Sequence, residues 1–520
     1  MKRPLIATVF AAATVFGLQA ASAGPLSRGP IVQVSGASPF LGCVADNVAG
    51  QTGTVFPNSE VEPWIDVNPT NTSNIVGIFQ QDRWSNGGAR GTVAGVTFDG
   101  GTTWVESIIP GVSKCSGGIY DRSTDPWLSF SPSGRVHQLA LSFNDVAGPF
   151  VEGEGGDFDH ALLASFSDNG GLTWSNTREV IRDLDPNVFN DKQSITADPN
   201  DSNFVYAVWD RLVFPEERAS LESSFFTFAF RGPAWFSRTT DGGETWEPAR
   251  QIFDPGQENQ TIGNQIVVLP DGDLVNIFDL IRNFTNAPPG SGLHVALIRS
   301  EDRGATWGPR GRNGKIKPII VSRLGTIGIT DPETDDPVRT GDIIPDIAVN
   351  ANNGRLYAVW QDARFNNSQA DAIAFSQSLD GGFTWSTPIK VNKTPTNISI
   401  GNQQAFTPSV HVAANGAIGV TYYDFRNNTS ATPLLTDYFI VHCHPTSATA
   451  CTNAANWTAN GNADKRLTNV SFDMRQAPFA RGFFTGDYEG LSAAGNTFTP
   501  FFSQPHNGDP SSTFFRRVSQ

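Results

Sequence analysis

Cationic residues, cysteine and methionine are all scarce in this chain of 520 residues. Lys and Arg number 36 against 51 Asp and Glu, a formal net charge of −15. That deficit excludes nucleic acid and anionic membrane surfaces as expected partners, because both need clustered cations. Four cysteines are too few for a disulfide-dense scaffold. Neither a CxxC nor an HExxH spacing is present to suggest a metal centre. His442 and His444 flank Cys443 and read as loop histidines, so no metal ligands are assigned. Long apolar runs are missing, apart from Leu5 to Leu18 at the N-terminus. No later stretch approaches the ~20 residues that a spanning helix needs. Strong helix formers are sparse. In their place stand 51 Gly, 34 Pro, 37 Phe and 12 Trp, a composition of short strands and many turns.

The N-terminus reads as a secretory signal peptide over residues 1–23. Lys2 and Arg3 precede the apolar run, and Ala21-Ser22-Ala23 is a small-x-small cleavage site. The mature protein is therefore expected outside the cytoplasm, extracellular or periplasmic. Its four cysteines allow three pairings. Spacing favours Cys443–Cys451 as a local staple and Cys43–Cys115 as a tie for the N-terminal segment.

One eight-residue pattern, S/T-x-D/N-x-G-x-T-W, occurs five times. The copies are Thr97–Trp104, Ser167–Trp174, Thr239–Trp246, Ser300–Trp307 and Ser378–Trp385. Asp99, Asn169, Asp241, Asp302 and Asp380 fill the acidic slot. Each position has a mechanical reason. The Asp or Asn side chain can accept backbone N–H groups of its own turn. The Gly allows positive φ, and the Trp is a large apolar wedge. The pattern is thus a staple between two strands, with no catalytic role.

A second repeat lies upstream of each signature: a strand, a polar turn and an apolar strand ending in a polar cluster. Seven copies begin near Pro63, Pro126, Gln193, Asn264, Pro345, Pro408 and Asp487. Four antiparallel strands per unit, repeated at about 70 residues, predict an all-β propeller. Seven blades are favoured and six are possible. Residues 24–62 form an N-terminal segment whose Pro30–Val34 supplies the closing strand, and 63–520 form the propeller. The signatures occupy one rim. The long connections that start at Arg83, Asp145, Arg211, Arg364 and Arg426 occupy the other, where function is expected.

The five signatures resemble the bacterial neuraminidase (BNR, or Asp-box) repeat, and the chain resembles the sialidase superfamily. That resemblance implies a Tyr nucleophile, an Asp acid/base and an Arg clamp for a substrate carboxylate. Tyr488-Glu489-Gly490-Leu491, followed by Gly495, resembles the family's nucleophile strand. The implied catalytic residues are Tyr488, Asp487 and Asp125. The implied clamp is drawn from Arg83, Arg364, Arg426, Arg475 and Arg481. The expected function is a secreted, sialidase-like glycoside hydrolase acting on a terminal acidic sugar. Two alternatives stand beside it: a non-catalytic glycan- or protein-binding propeller, and a uronate lyase. The first follows from Glu62-Pro63-Trp64-Ile65, which has no Arg where the family has Arg-Ile-Pro. A carbohydrate or glycoconjugate is the expected partner and a monomer the expected state. No cofactor is expected, and a structural calcium ion stays open.

Overall fold

The computed structural model describes residues 25–46, 53–144, 159–185, 187–213, 231–282, 291–431, 433–458, 461 and 463–519. The expected signal peptide and its cleavage site lie outside the described residues. Among the described residues the regular structure is β-strand with a few single-turn 3-10 helices. No helix among them is long and apolar enough to cross a membrane.

The strands pair in chain order. Glu60–Val67, Ile75–Arg83, Ala89–Thr97 and Val105–Ile108 form an antiparallel meander. Similar meanders begin at Arg122, Val188, Asn259, Asp346 and Ala405. Gly490–Ala494, Thr497–His506 and Asp509–Ser519 form the final one, and Ser27–Gln33 lies antiparallel along its outer strand. The first strand of each meander packs on the first strand of the next, and Gly490–Ala494 packs back on Glu60–Val67. The sheets therefore stand around one axis in a propeller-type ring.

Apolar clusters lie between successive sheets. Val76, Ile78 and Ala94 of the first meander meet Leu128, Ala140 and Leu163 of the second. Leu139, Leu141 and Leu162, on the other face of that second sheet, meet Val205, Ala207 and Trp209 of the third. Both faces of a middle strand are thus buried, so these strands read as continuous apolar runs instead of alternating ones.

The five signatures share one hydrogen-bond pattern. Asp99, Asn169, Asp241, Asp302 and Asp380 accept the backbone N–H four residues on, from Thr103, Thr173, Thr245, Thr306 and Thr384, at 2.7–3.0 Å. The opening Thr or Ser hydroxyl accepts the N–H of the second Gly slot, as Gly101 does to Thr97 at 3.1 Å. Gly101 has φ +94°, and a Cβ there would overlap the Phe515 ring.

Two disulfides form, Cys43–Cys115 and Cys443–Cys451. The second takes the place of a signature in the meander that begins at Ala405. There Trp457 is fully buried, packs 4.6 Å from Phe375 and donates to the Cys451 carbonyl at 2.9 Å. Trp385 of a signature donates likewise to Gly382 at 3.0 Å.

A small extra sheet crosses between connections. Pro337–Arg339 pairs antiparallel with Ile329–Thr330 and parallel with Phe483–Phe484. It brings two inter-sheet connections together at the end of the ring where the first strands start.

Candidate functional site

The site begins with a repeated backbone irregularity. Five of the first strands break register two residues before their regular run, between Val61 and Trp64, Thr124 and Trp127, Asp191 and Ser194, Ile262 and Gln265, and Phe406 and Ser409. Each bulge contains one residue at positive φ: Glu62 (53°), Asp125 (48°), Lys192 (48°), Gly263 (68°) and Thr407 (45°). Bulges re-aim side chains, and left-handed non-glycine residues are costly and concentrate at functional sites. Here the bulges bring Glu62, Asp125 and Lys192 together.

Lys192 Nζ lies 2.6 Å from Asp487 Oδ2, 2.9 Å from Asp125 Oδ1 and 3.3 Å from Glu62 Oε1. All three carboxyls are buried. Burial raises the Glu62 carboxyl well above the usual range, and Asp125 beside it adds to the shift. Burial also raises Asp125 and Asp487, but their cations outweigh it. Lys192 leads at Asp125, Arg339 and Lys192 at Asp487, and both carboxyls end below the usual range. Asp125 stands beside Glu62, and its negative charge favours the protonated form of that carboxyl. The cluster thus holds one acid and two carboxylates side by side. Asp191, pushed up to about 6 by burial, adds a third carboxylate at neutral pH.

Arginines gather over these acids. Arg339 Nε and its NH2 group reach Asp487 at 3.0 and 2.5 Å. Arg83 is buried, its guanidinium donates to Gln80 Oε1 at 3.1 Å, and its Nε has no partner among the described residues. Gln80 in turn donates to Glu62. Phe484 lies between the two arginines, 5.1 Å from Arg83 and 4.4 Å from Arg339. Arg481 is exposed, at φ +65°, within the fields of Arg339, Arg83 and Asp487. Lys192, Arg83, Arg339 and Arg481 thus converge on Glu62, Asp125, Asp487 and Asp191.

Tyr488 stands beside this cluster in an aromatic group. Trp64 and Trp127 stack at 3.5 Å, and Tyr488 lies 5.1 Å from Trp127 and 6.2 Å from Trp64. Its hydroxyl donates to the Pro126 carbonyl at 2.9 Å. Burial, then Glu62, Asp125, Asp487 and Glu489, push the phenol well above its ordinary value. A phenol among carboxylates and bonded to a carbonyl is held neutral at rest, and the nearest groups that could take its proton are those same carboxylates. The axial cavity bounded by Lys192, Asp487, Tyr488 and Trp64 has about 30 Å³, room for water and not for a sugar ring.

Of the expected clamp, Arg83 and Arg481 join the cluster, and three arginines do not. Arg364 folds back on Asp362 at 2.6 Å. Arg426 is held by Asp424 and Asp464, at 2.5 and 2.7 Å. Arg475 pairs with Asp331 at 2.5 Å. These three are held in local ion pairs and do not join the cluster. Asp125 and Asp487 stand in the cluster. Glu62, Lys192 and Arg339 escaped the sequence reading. Glu62 and Asp125 each precede a Pro-Trp pair, and aligning the repeats places Lys192 in the same slot. Arg339 lies in a connection with no repeat, and no sequence signal marks it.

No family model matches this chain, and neither does any curated protein. Among solved structures it is similar to the Hadza microbial sialidase Hz136, at 14% identity over 86% of this chain and 73% of that one, with a TM-score of 0.45. It is similar to an α-L-arabinanase of Penicillium chrysogenum complexed with arabinobiose, at 11% identity over 95% and 98%, with a TM-score of 0.43. A protein of unknown function from Dyadobacter fermentans is 13% identical over 91% of this chain and 100% of its own, with a TM-score of 0.45.

Proposed function

We propose that this chain is an exported glycoside hydrolase for a terminal acidic sugar, built as a seven-bladed Asp-box propeller. The observation that carries the reading is the convergence of Arg83, Arg339 and Arg481 on the acids Glu62, Asp125 and Asp487. Arg339 and Arg481, the accessible pair, receive the sugar carboxylate, for which guanidinium forks are well shaped. Glu62 gives its proton to the leaving oxygen as the glycosidic C–O bond breaks. The Glu62 carboxylate left behind takes a proton from the water whose oxygen bonds to the anomeric carbon on the face that the leaving group has vacated. Tyr488 forms a wall of the site with Trp64 and Trp127.

A second reading, a non-catalytic propeller that binds acidic glycans, is favoured by the burial of the acids. Glu62 is 1% exposed, Asp125 4% and Asp487 5%. Fluorogenic sialosides and uronides, offered to wild type and to Glu62→Gln, separate the two. Release of fluorophore that drops at least ~100-fold in the variant supports the hydrolase, the usual scale for a lost general acid. Binding without turnover on any acidic glycoside overturns it in favour of the second reading. Products absorbing in the ultraviolet would reveal a lyase.

A further inference from the structure

Lys192 lies at the centre of the cluster and has no part in the chemistry above. Its ammonium has three protons and three carboxyl oxygens in reach, on Asp487, Asp125 and Glu62 in order of distance. Glu62 and Asp125 belong to the first two meanders and Asp487 precedes the last, so one side chain ties three parts of the ring together. The neighbouring charges do not substitute for it. Arg339 engages Asp487, and Gln80 donates to Glu62. Among the described residues Lys192 is the one cation paired with Asp125. The other groups facing the cluster are Asp191 beside Lys192, Arg83 from the second strand of the first sheet, Arg481, and Tyr488 with Glu489. Lys192 also holds a left-handed backbone conformation to reach this place.

We propose that Lys192 is a positioning residue that keeps the proton of this acid cluster on Glu62, by pairing with Asp125 and Asp487 as carboxylates. The proposal deepens the hydrolase reading and rests on it. The geometry supplies the reason. The two shorter contacts go to the aspartates, and an ammonium favours the charged form of whatever it touches most closely. Glu62, at the longest distance from the ammonium, is left as the donor. Arrangements of this kind keep a carboxylic acid neutral at pH 7 so that it can give a proton.

Infrared spectra at pH 7, reading the C=O stretch of protonated carboxyls, test this without any turnover. A failure of the hydrolase reading is therefore distinguishable from a failure here. Glu62→Gln removes one acid band from the wild-type spectrum. Lys192→Met gains one, because Asp125 then takes up a proton, whereas Lys192→Arg keeps the wild-type pattern. If Lys192→Met does not fold, Asp125→Asn decides. It removes a negative charge beside Glu62 and leaves Lys192 there, so the Glu62 band is lost at pH 7. Unchanged bands in Lys192→Met or Asp125→Asn, or an acid band that survives Glu62→Gln in full, overturn the proposal.

Discussion

Arg339 and Asp487 pair through both arms of the guanidinium, although 148 residues of chain separate them. One comes from the small extra sheet and the other from the turn before Gly490–Ala494. The pair therefore fixes the extra sheet over the end of the ring, and it leaves Arg339 partly exposed (27% of its side chain) beside a saturated carboxylate. A cation whose own acid is already shared with Lys192 has field to spare for a ligand.

Arg339→Gln should therefore weaken binding of an acidic glycoside by roughly 10- to 100-fold. That is the scale of one hydrogen bond to a charged group, about 1.5–3 kcal/mol. The neutral analogue, with the carboxylate replaced by an amide, should bind both proteins alike. Calorimetric titration of the two ligands is the measurement. Equal losses for both would show that Arg339 shapes the fold and does not select charge.

Tyr488→Phe separates a wall from a nucleophile. The substitution removes one hydrogen bond, to the Pro126 carbonyl, and keeps the ring against Trp64 and Trp127. We expect a stability cost of about 1 kcal/mol and turnover within a few-fold of wild type. Loss of turnover beyond about 1000-fold, with melting little changed, would return Tyr488 to the chemistry.

The extent to which the site could be read from the sequence depends on side-chain direction. Asp-Arg pairs at the ends of second strands look alike in the sequence, yet they diverge in space. Asp362 and Asp424 turn toward their own arginines. Asp82, at φ 63°, turns away and accepts from Ser38 at 2.7 Å and Asn58 at 2.9 Å. Arg83 is thereby released toward the axis. Likewise the alternation of a regular strand does not foretell where Glu62 and Lys192 point, because a bulge re-aims both. The signatures were readable because their bonds stay within five residues. The cysteine pairing was readable because the short span between Cys443 and Cys451 leaves Cys43 and Cys115 for each other.

Buried carboxyls give the fold an acidic optimum of stability. Burial raises Asp66, Asp346 and Asp371 to about 6 each. A group raised on folding stabilises fully below its unfolded value, near 4, and that contribution is lost as pH rises through the folded value. Asp487 acts oppositely. Its value is depressed, so its contribution is present above the unfolded value and is lost only on stronger acidification. The melting temperature should thus peak near pH 4–5 and fall between pH 5 and 7. Asp346→Asn should flatten part of that fall, since each shift of about two units is worth roughly 3 kcal/mol at most. A melting temperature that rises from pH 5 to 7 would contradict this account.

The signature turns should matter for folding and not for function. Asp241 accepts from the Thr239 hydroxyl at 2.7 Å, from the Thr245 N–H at 2.9 Å and from the Thr245 hydroxyl at 2.5 Å. All three bonds are local and solvent-facing, so Asp241→Ala should cost about 1–2 kcal/mol, comparable with the loss of a helix cap. The turn lies at the opposite end of its sheet from the bulge that holds Lys192. Binding and turnover per folded molecule should therefore stay at wild-type level. The check is a denaturant melt set beside an activity titration normalised to folded protein. A large loss of binding or turnover with an unchanged melt would move the signature from scaffold to site.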